Sequence, residues 1–286
     1  LNDPISHSTY PPRADLFRPA LTDAFDGVWV AVTRTGFKSH DDGYGLNYGA
    51  HVGDCLEDVH RRRAALEAEV GVPLVWLNQV HGVEVCLATP LLASNSNLNP
   101  PQADASVLAN CDSALAIMTA DCLPVVFVAR NTRGVPVGVA AAHAGWKGLL
   151  NGVLSNAVLS LAQATSQPVR QIAAWLGPAI GPQSFEVGEE VREAFLSGFA
   201  SNSIVQPNLQ PTISSAFTPA ANAGKWLADL YQLARISLNQ SGVGHVECAN
   251  PPEDTFTDLS WFSHRRAALL GRQAGRMATL VRLLPR

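Results

Sequence analysis

The chain has 286 residues, 47% of them apolar and 15% charged, with a formal net charge of −4. A chain of this size buries roughly 75% of its unfolded surface, which excludes dependence on disulfide staples and, at this apolar content, disorder over most of its length. The weak negative charge excludes an electrostatic nucleic-acid binder. Residues 1–25 read as an extended lead-in punctuated by Pro4, Pro11, Pro12 and Pro19, with no apolar run of the signal-peptide kind. No stretch approaches the roughly 18 apolar residues of a membrane span. The cysteines, Cys55, Cys86, Cys111, Cys122 and Cys248, lack the spacing of a secreted scaffold, so the expected compartment is the cytoplasm.

Gly27 to Thr33 is predicted as a β-branched strand, followed by a Gly- and Asp-rich loop from Gly36 to Gly53. Asp54 is the expected N-cap of a helix to about Val70, stopped by Gly71 and Pro73. Leu74 to Leu77 and Val83 to Leu87 read as a strand pair, and Leu91 to Gln102 as loop. Short apolar runs then predict strands at Ser106 to Ala109, Leu115 to Thr119, Pro124 to Ala129 and Pro136 to Ala142. A long helix is expected from Leu149 to Ala162, where apolar residues recur at helical spacing. A strand follows at Ile172 to Leu176, a helix at Val187 to Phe195, and a loop from Ser197 to Thr218. Lys225 to Asn239 reads as an amphipathic helix, and Met277 to Leu283 as the last strand. Strands often follow strands without a helix between them. This favours one α+β domain over residues 1–286, with mixed sheets and covering helices, over a doubly wound sheet.

Three segments place a reactive side chain between strand ends and small residues: Asn78-Gln79-Val80-His81-Gly82, Ala120-Asp121-Cys122-Leu123-Pro124 and Ala142-His143-Ala144-Gly145-Trp146-Lys147-Gly148. Two imidazoles and a thiolate suit Zn²⁺ and leave a fourth tetrahedral position open, as in catalytic sites. The separations, 41 residues (81 to 122) and 21 residues (122 to 143), form no local ligand motif. Spacing alone therefore also allows a core cysteine, an exposed His81 and a satisfied core His143. Cys122 with His143 as base would make a metal-free cysteine hydrolase. Arg34 after the first strand and Lys147 at a helix start are candidates for an anionic group, or are plain solvated charges. The glycine-rich GYGLNYGAHVGD is neither GxGxxG nor a Walker loop.

In order along the chain, TRTG at Thr33, LNYGAHVGD at Leu46, NQVHG at Asn78, ADA at Ala103 and TADCLPV at Thr119 are followed by AAAHAGWKGL at Ala140. Then come LGPAIGPQSFEVG at Leu176, KWLADL at Lys225 and GRMA at Gly275. Together these blocks resemble the YfiH family, long called multicopper polyphenol oxidoreductases or laccase-domain proteins. The resemblance implies a layered α/β/β/α fold and a zinc-dependent purine nucleoside phosphorylase with adenosine deaminase activity. It implies His81, Cys122 and His143 as zinc ligands. The expected partners are inorganic phosphate and a nucleoside (adenosine, inosine, guanosine or methylthioadenosine), with no nucleic acid and no membrane. Arg34 and Lys147 become the candidates for phosphate, Asn47 and Gln79 for sugar or base. A copper-dependent polyphenol oxidase activity is the alternative, expected only as a side reaction of copper loaded in vitro, because eight scattered histidines do not make several copper sites. The sequence departs from the family pattern at Tyr48, after Thr33-Arg34, and before Phe262. It also duplicates Gly-Arg in GRQAGRMA, so the family's arginine falls among Arg265, Arg266, Arg272 and Arg276.

Overall fold

Side-chain alternation along the central strands sorts the protein into layers. The structure is a computed structural model and describes residues 14–36, 44–201 and 209–285. Six strands form one sheet in the order β13-β9-β7-β8-β5-β4: β4 (Val85–Leu87), β5 (Ala105–Leu108), β7 (Leu123–Arg130), β8 (Pro136–Ala144), β9 (Ile172–Leu176) and β13 (His245–Cys248). Five form a second, in the order β1-β2-β14-β6-β3: β1 (Leu16–Phe17), β2 (Val28–Thr33), β3 (Leu74–Val75), β6 (Ala114–Thr119) and β14 (Met277–Leu283). Both sheets are mixed; β4–β5, β13–β9 and β3–β6 pair in parallel and the other neighbours antiparallel.

Along β7, Val126 and Val128 face the gap between the two sheets, as do Val139 and Ala141 on β8, Leu115 and Ile117 on β6, and Val281 on β14. The alternate residues Val125, Phe127, Ala140 and Ala142 face outward onto helices. Those helices are α4 (Val153–Thr165), α5 (Glu189–Ser201) and α7 (Leu230–Gln240), which contribute Leu154, Val158, Phe195, Leu233 and Ala234. On the opposite outer face, α1 (Leu56–Val70) lays Leu66 and Val70 against Ala116, Ala278 and Leu280. The period of two in strands and of 3.6 in helices thus yields the expected α/β/β/α layers. Burying each such Leu, Val or Phe contributes about 1.5–3 kcal/mol, so single polar changes at a rim leave the layers standing.

Several boundaries differ from the sequence expectation. Leu74 and Val85 do not begin a strand pair: β3 joins β6 in one sheet and β4 joins β5 in the other. The helix α1 is capped by Cys55 without a side-chain bond, because Asp54 is engaged with Asn47 and Arg62. Leu91 to Gln102 is not all loop. Thr89 caps a short helix α2 (Pro90–Asn95), with Pro at its first turn. The expected long helix is broken after α3 (Trp146–Leu150), where Gly152 takes a left-handed φ of 96° before α4. At Glu186 a strand β10 (Glu186–Gly188) precedes α5, and at Lys225 a strand β12 (Lys225–Ala228) precedes α7, which Asp229 caps. With β11 (Phe217–Pro219) these form a three-stranded sheet. The region expected as loop from Ser197 also contains the end of α5 and α6 (Leu209–Ser214). Residues 1–13 of the lead-in, 37–43 of the glycine-rich loop and 202–208 lie outside the described residues. The strand β13 and the short helix α8 (His264–Leu269) had no sequence expectation.

Candidate metal and substrate site

The β7–β8 pairing sets Pro124 opposite His143, so Cys122, just ahead of β7, lies beside His143 across the ladder. His81 arrives from the turn between β3 and β4, in a left-handed conformation with φ of 61° that few non-glycine residues adopt. The ligand atoms of His81, Cys122 and His143 all lie within 4.8 Å of one another. Cys122 Sγ is 3.7 Å from His81 Nε2, and the two imidazole centroids are 4.6 Å apart. Exposure is graded across the trio: His81 is exposed, Cys122 half-buried and His143 buried.

Glycines permit this approach. A Cβ on Gly145 would stand 2.7 Å from His81 Cδ2 and 3.0 Å from Cys122 Sγ, and one on Gly148 only 2.9 Å from the Gly82 carbonyl. Behind the trio the fully buried Asp104 accepts from the backbone N–H groups of Val80, His81 and Gly82. It also lies 2.8 Å from His143 Nδ1. Burial alone would raise the Asp104 pKa, but the hydrogen bond and charge of His143 and the turn N–H groups hold it below its ordinary value. Burial would likewise raise the Cys122 thiol; the charge and hydrogen bond of His143, with those of His81, outweigh it and bring the thiol down to about 6. Burial works against the charged form of His143, yet the Cys122 thiolate and Asp104 push its pKa up. Both shifts favour the charged form of the pair, thiolate with imidazolium. With Nδ1 engaged by Asp104, His143 has Nε2 left to ligate. The donor set of two imidazoles and a thiolate therefore fits a zinc-type ion with a position open to the cavity.

That cavity measures about 440 Å³, within the roughly 300–1,000 Å³ typical of small-molecule sites. Its lining mixes apolar side chains, Val80, Trp146, Ile180, Phe185 and Leu230, with His51, Lys147, His264, Arg265 and Arg276; Lys147 lies by the Trp146 ring and Arg265 by the Phe185 ring. Burial and the nearby Arg276 and Arg63 lower the pKa of His51.

The family model described as multi-copper polyphenol oxidoreductase laccase matches residues 28–284. The chain belongs to that family. A Pseudomonas aeruginosa purine nucleoside phosphorylase is 43% identical over 244 residues, covering 85% of this chain and 89% of that one. The purine nucleoside phosphorylase YfiH of Escherichia coli is 41% identical over 248 residues, covering 85% and 89%. Among solved structures, Neisseria meningitidis protein NMB0706 superposes with a TM-score of 0.77 at 37% identity, over 95% of this chain and all (100%) of that chain.

In this laccase-family chain the sequence candidates separate. The trio and Lys147 line the cavity. Gln79 lines it too, but both ends of its amide are bonded to the Met118 backbone, at 2.7 and 2.8 Å. Asn47 is fully buried outside the cavity wall, bonded to Gly49, Asp54 and the Arg276 N–H. Arg34 also lies off the cavity, its guanidinium over the rings of Phe17 and Trp261. Of the C-terminal arginines, Arg265 and Arg276 reach the cavity. Arg266 instead ties the carbonyls of Thr255, Phe256 and Trp261, and both it and Arg272 line a smaller depression of about 130 Å³.

Sequence reasoning passed over Asp104, Asp121 and His51 as individual residues. Asp121, at φ 83°, accepts from the Thr255 hydroxyl and the Arg265 N–H, tying the Cys122 segment to the start of α8. The signal was available, since each sits inside a block already singled out: ADA, TADC and GAHVG. Among the described residues no helix is long and apolar enough to cross a membrane.

Proposed function

We propose that this chain is a zinc-dependent purine nucleoside phosphorylase that also deaminates adenosine, with His81, Cys122 and His143 as the zinc ligands. The observation that carries the reading is that the trio lines a cavity also lined by apolar side chains and by Lys147, Arg265 and Arg276. The names of the relatives support the same reaction.

Phosphorolysis breaks the C1′–N9 bond with its electron pair going to the base, forms a C1′–O bond to phosphate, and passes the proton given up by hydrogen phosphate to the departing base. The planar base packs on Trp146, Phe185 and Leu230. Phosphate, a dianion near neutral pH, is held by Arg276, Arg265 and Lys147, which orient one of its oxygens toward C1′. In this account the cavity arginines take the phosphate role expected of Arg34, and Asn47 and Gln79 act by fixing backbone. Bound zinc would supply a Lewis acid that polarises oxygen and lowers the pKa of water, which attack of water at C6 of adenosine requires. Copper loaded into the same ligands is expected to give phenol oxidation only as a side reaction.

The test is metal analysis of purified protein together with a panel of adenosine, inosine, guanosine and methylthioadenosine, with and without phosphate. One zinc per chain and phosphate-dependent release of base are expected. Zinc-depleted protein cleaving inosine at the undiminished rate would overturn the reading. One observation favours a second reading: the lowered thiol of Cys122 beside His143 is also the pairing of a cysteine hydrolase. Zinc protection of Cys122 against alkylation supports the metal site; a trapped acyl-enzyme supports the hydrolase.

A further inference from the structure

We infer that Asp104 is the positioning residue of the metal site, one carboxylate that fixes two of the three ligands at once. This rests on the zinc reading of the trio. Asp104 sits one residue ahead of β5, and its backbone carbonyl accepts the His143 N–H at 2.7 Å. Its side chain is fully buried, and among the described residues its hydrogen bonds run to the two histidine segments. Oδ1 accepts from the His81 N–H at 2.9 Å and faces His143 Nδ1 at 2.8 Å. Oδ2 accepts from Val80 at 3.1 Å and Gly82 at 2.7 Å.

Each contact has a separate consequence. Three N–H groups converging on one carboxylate hold the turn that keeps His81 at positive φ, where its ring reaches Cys122. An acceptor at Nδ1 fixes the neutral His143 ring with its proton there, leaving Nε2 as the only ring lone pair. The two histidines are 62 residues apart (81 to 143) and lie on different elements, yet neither keeps its orientation without the same side chain.

An amide cannot replace it. With its oxygen at the Oδ1 position, the NH₂ of an asparagine confronts the N–H groups of Val80 and Gly82. Turned over, the NH₂ confronts the His81 N–H and pushes His143 toward the tautomer protonated at Nε2, which cannot ligate.

The experiment is Co²⁺ titration of apo wild type, Asp104→Asn and Val107→Ala, followed by the thiolate–cobalt absorbance, with Tm measured for each. Val107 is a buried core residue on the same strand that touches neither histidine's bonding. Asp104→Asn is expected to bind Co²⁺ about 10–100-fold more weakly, whereas Val107→Ala loses Tm but keeps wild-type affinity. Equal affinity in Asp104→Asn and wild type overturns the inference while leaving the metal reading intact; failure of wild type to bind overturns both. Should Asp104→Asn not fold, nitrogen NMR of zinc-loaded wild type decides. A proton on Nδ1 of His143 supports the inference, and a bare Nδ1 overturns it.

Discussion

The metal ligands and the cationic residues of the cavity are held by different means. The three ligands sit at strand ends or in a braced turn, within reach only because glycines lie between them. Among the cationic residues Arg265 and Arg276 are longer and looser, each tied through its guanidinium to main-chain carbonyls, at 2.9 Å from Glu186 and 2.8 Å from Ala274. Lys147 is exposed, its ammonium 5.6 Å from the centre of the Trp146 ring. Geometry in the first set belongs to the backbone, and in the second to individual side chains. Changes in the first set are therefore expected to remove metal and activity together, and in the second to act on phosphate alone.

His143→Ala should give the largest effect, a loss of zinc affinity and phosphorolysis exceeding the roughly 10–100-fold cost of losing an outer partner; competition with a chelator and a nucleoside assay measure both. Gly145→Ala adds no charge and removes no ligand, yet it should weaken zinc by about 10-fold or more, because the new methyl displaces His81 or Cys122. An unchanged affinity would show that the trio tolerates displacement and that glycine framing does not set its geometry. Arg276→Ala should raise the KM for phosphate by about 10–100-fold, the scale of a hydrogen bond to a charged group, with zinc content unaltered. Lys147→Ala, being exposed, should change the phosphate KM about 5-fold or less, and the change should shrink further in high salt.

Much of the metal site was legible because strand patterning and glycine framing are local. GVAAA before His143 and the turn around His81-Gly82 pointed to side chains presented at strand ends. Among the polar candidates Lys147 was legible but Asn47 and Arg34 misled, because sequence does not reveal whether a polar group is already satisfied. Asn47 looked available for substrate, but its amide is fully engaged with Gly49, Asp54 and Arg276. Arg34 looked free, but it packs on two aromatic rings. In the fold, helical spacing ran through Lys225–Ala228 because a short strand and a helix turn share apolar positions at that length. The Asp229 cap, bonded to the Gln232 N–H, was the signal that divided them. Likewise Gly152 marked the break that the apolar period concealed.

The β7–β8 hairpin acts as a ruler. Its register places Pro124 opposite His143 at one end, while the turn closed by Asn131 and Val135 lies at the other. A one-residue slip in either strand would turn every side chain to the opposite face, sending His143 away from Cys122 even if the sheet re-formed. Length changes are thus tolerable at the Asn131–Val135 tip, where the ladder has already been counted out, and not along the strands. Among natural or engineered variants, insertions should collect at that tip, and the 21-residue interval from Cys122 to His143 should vary only through it.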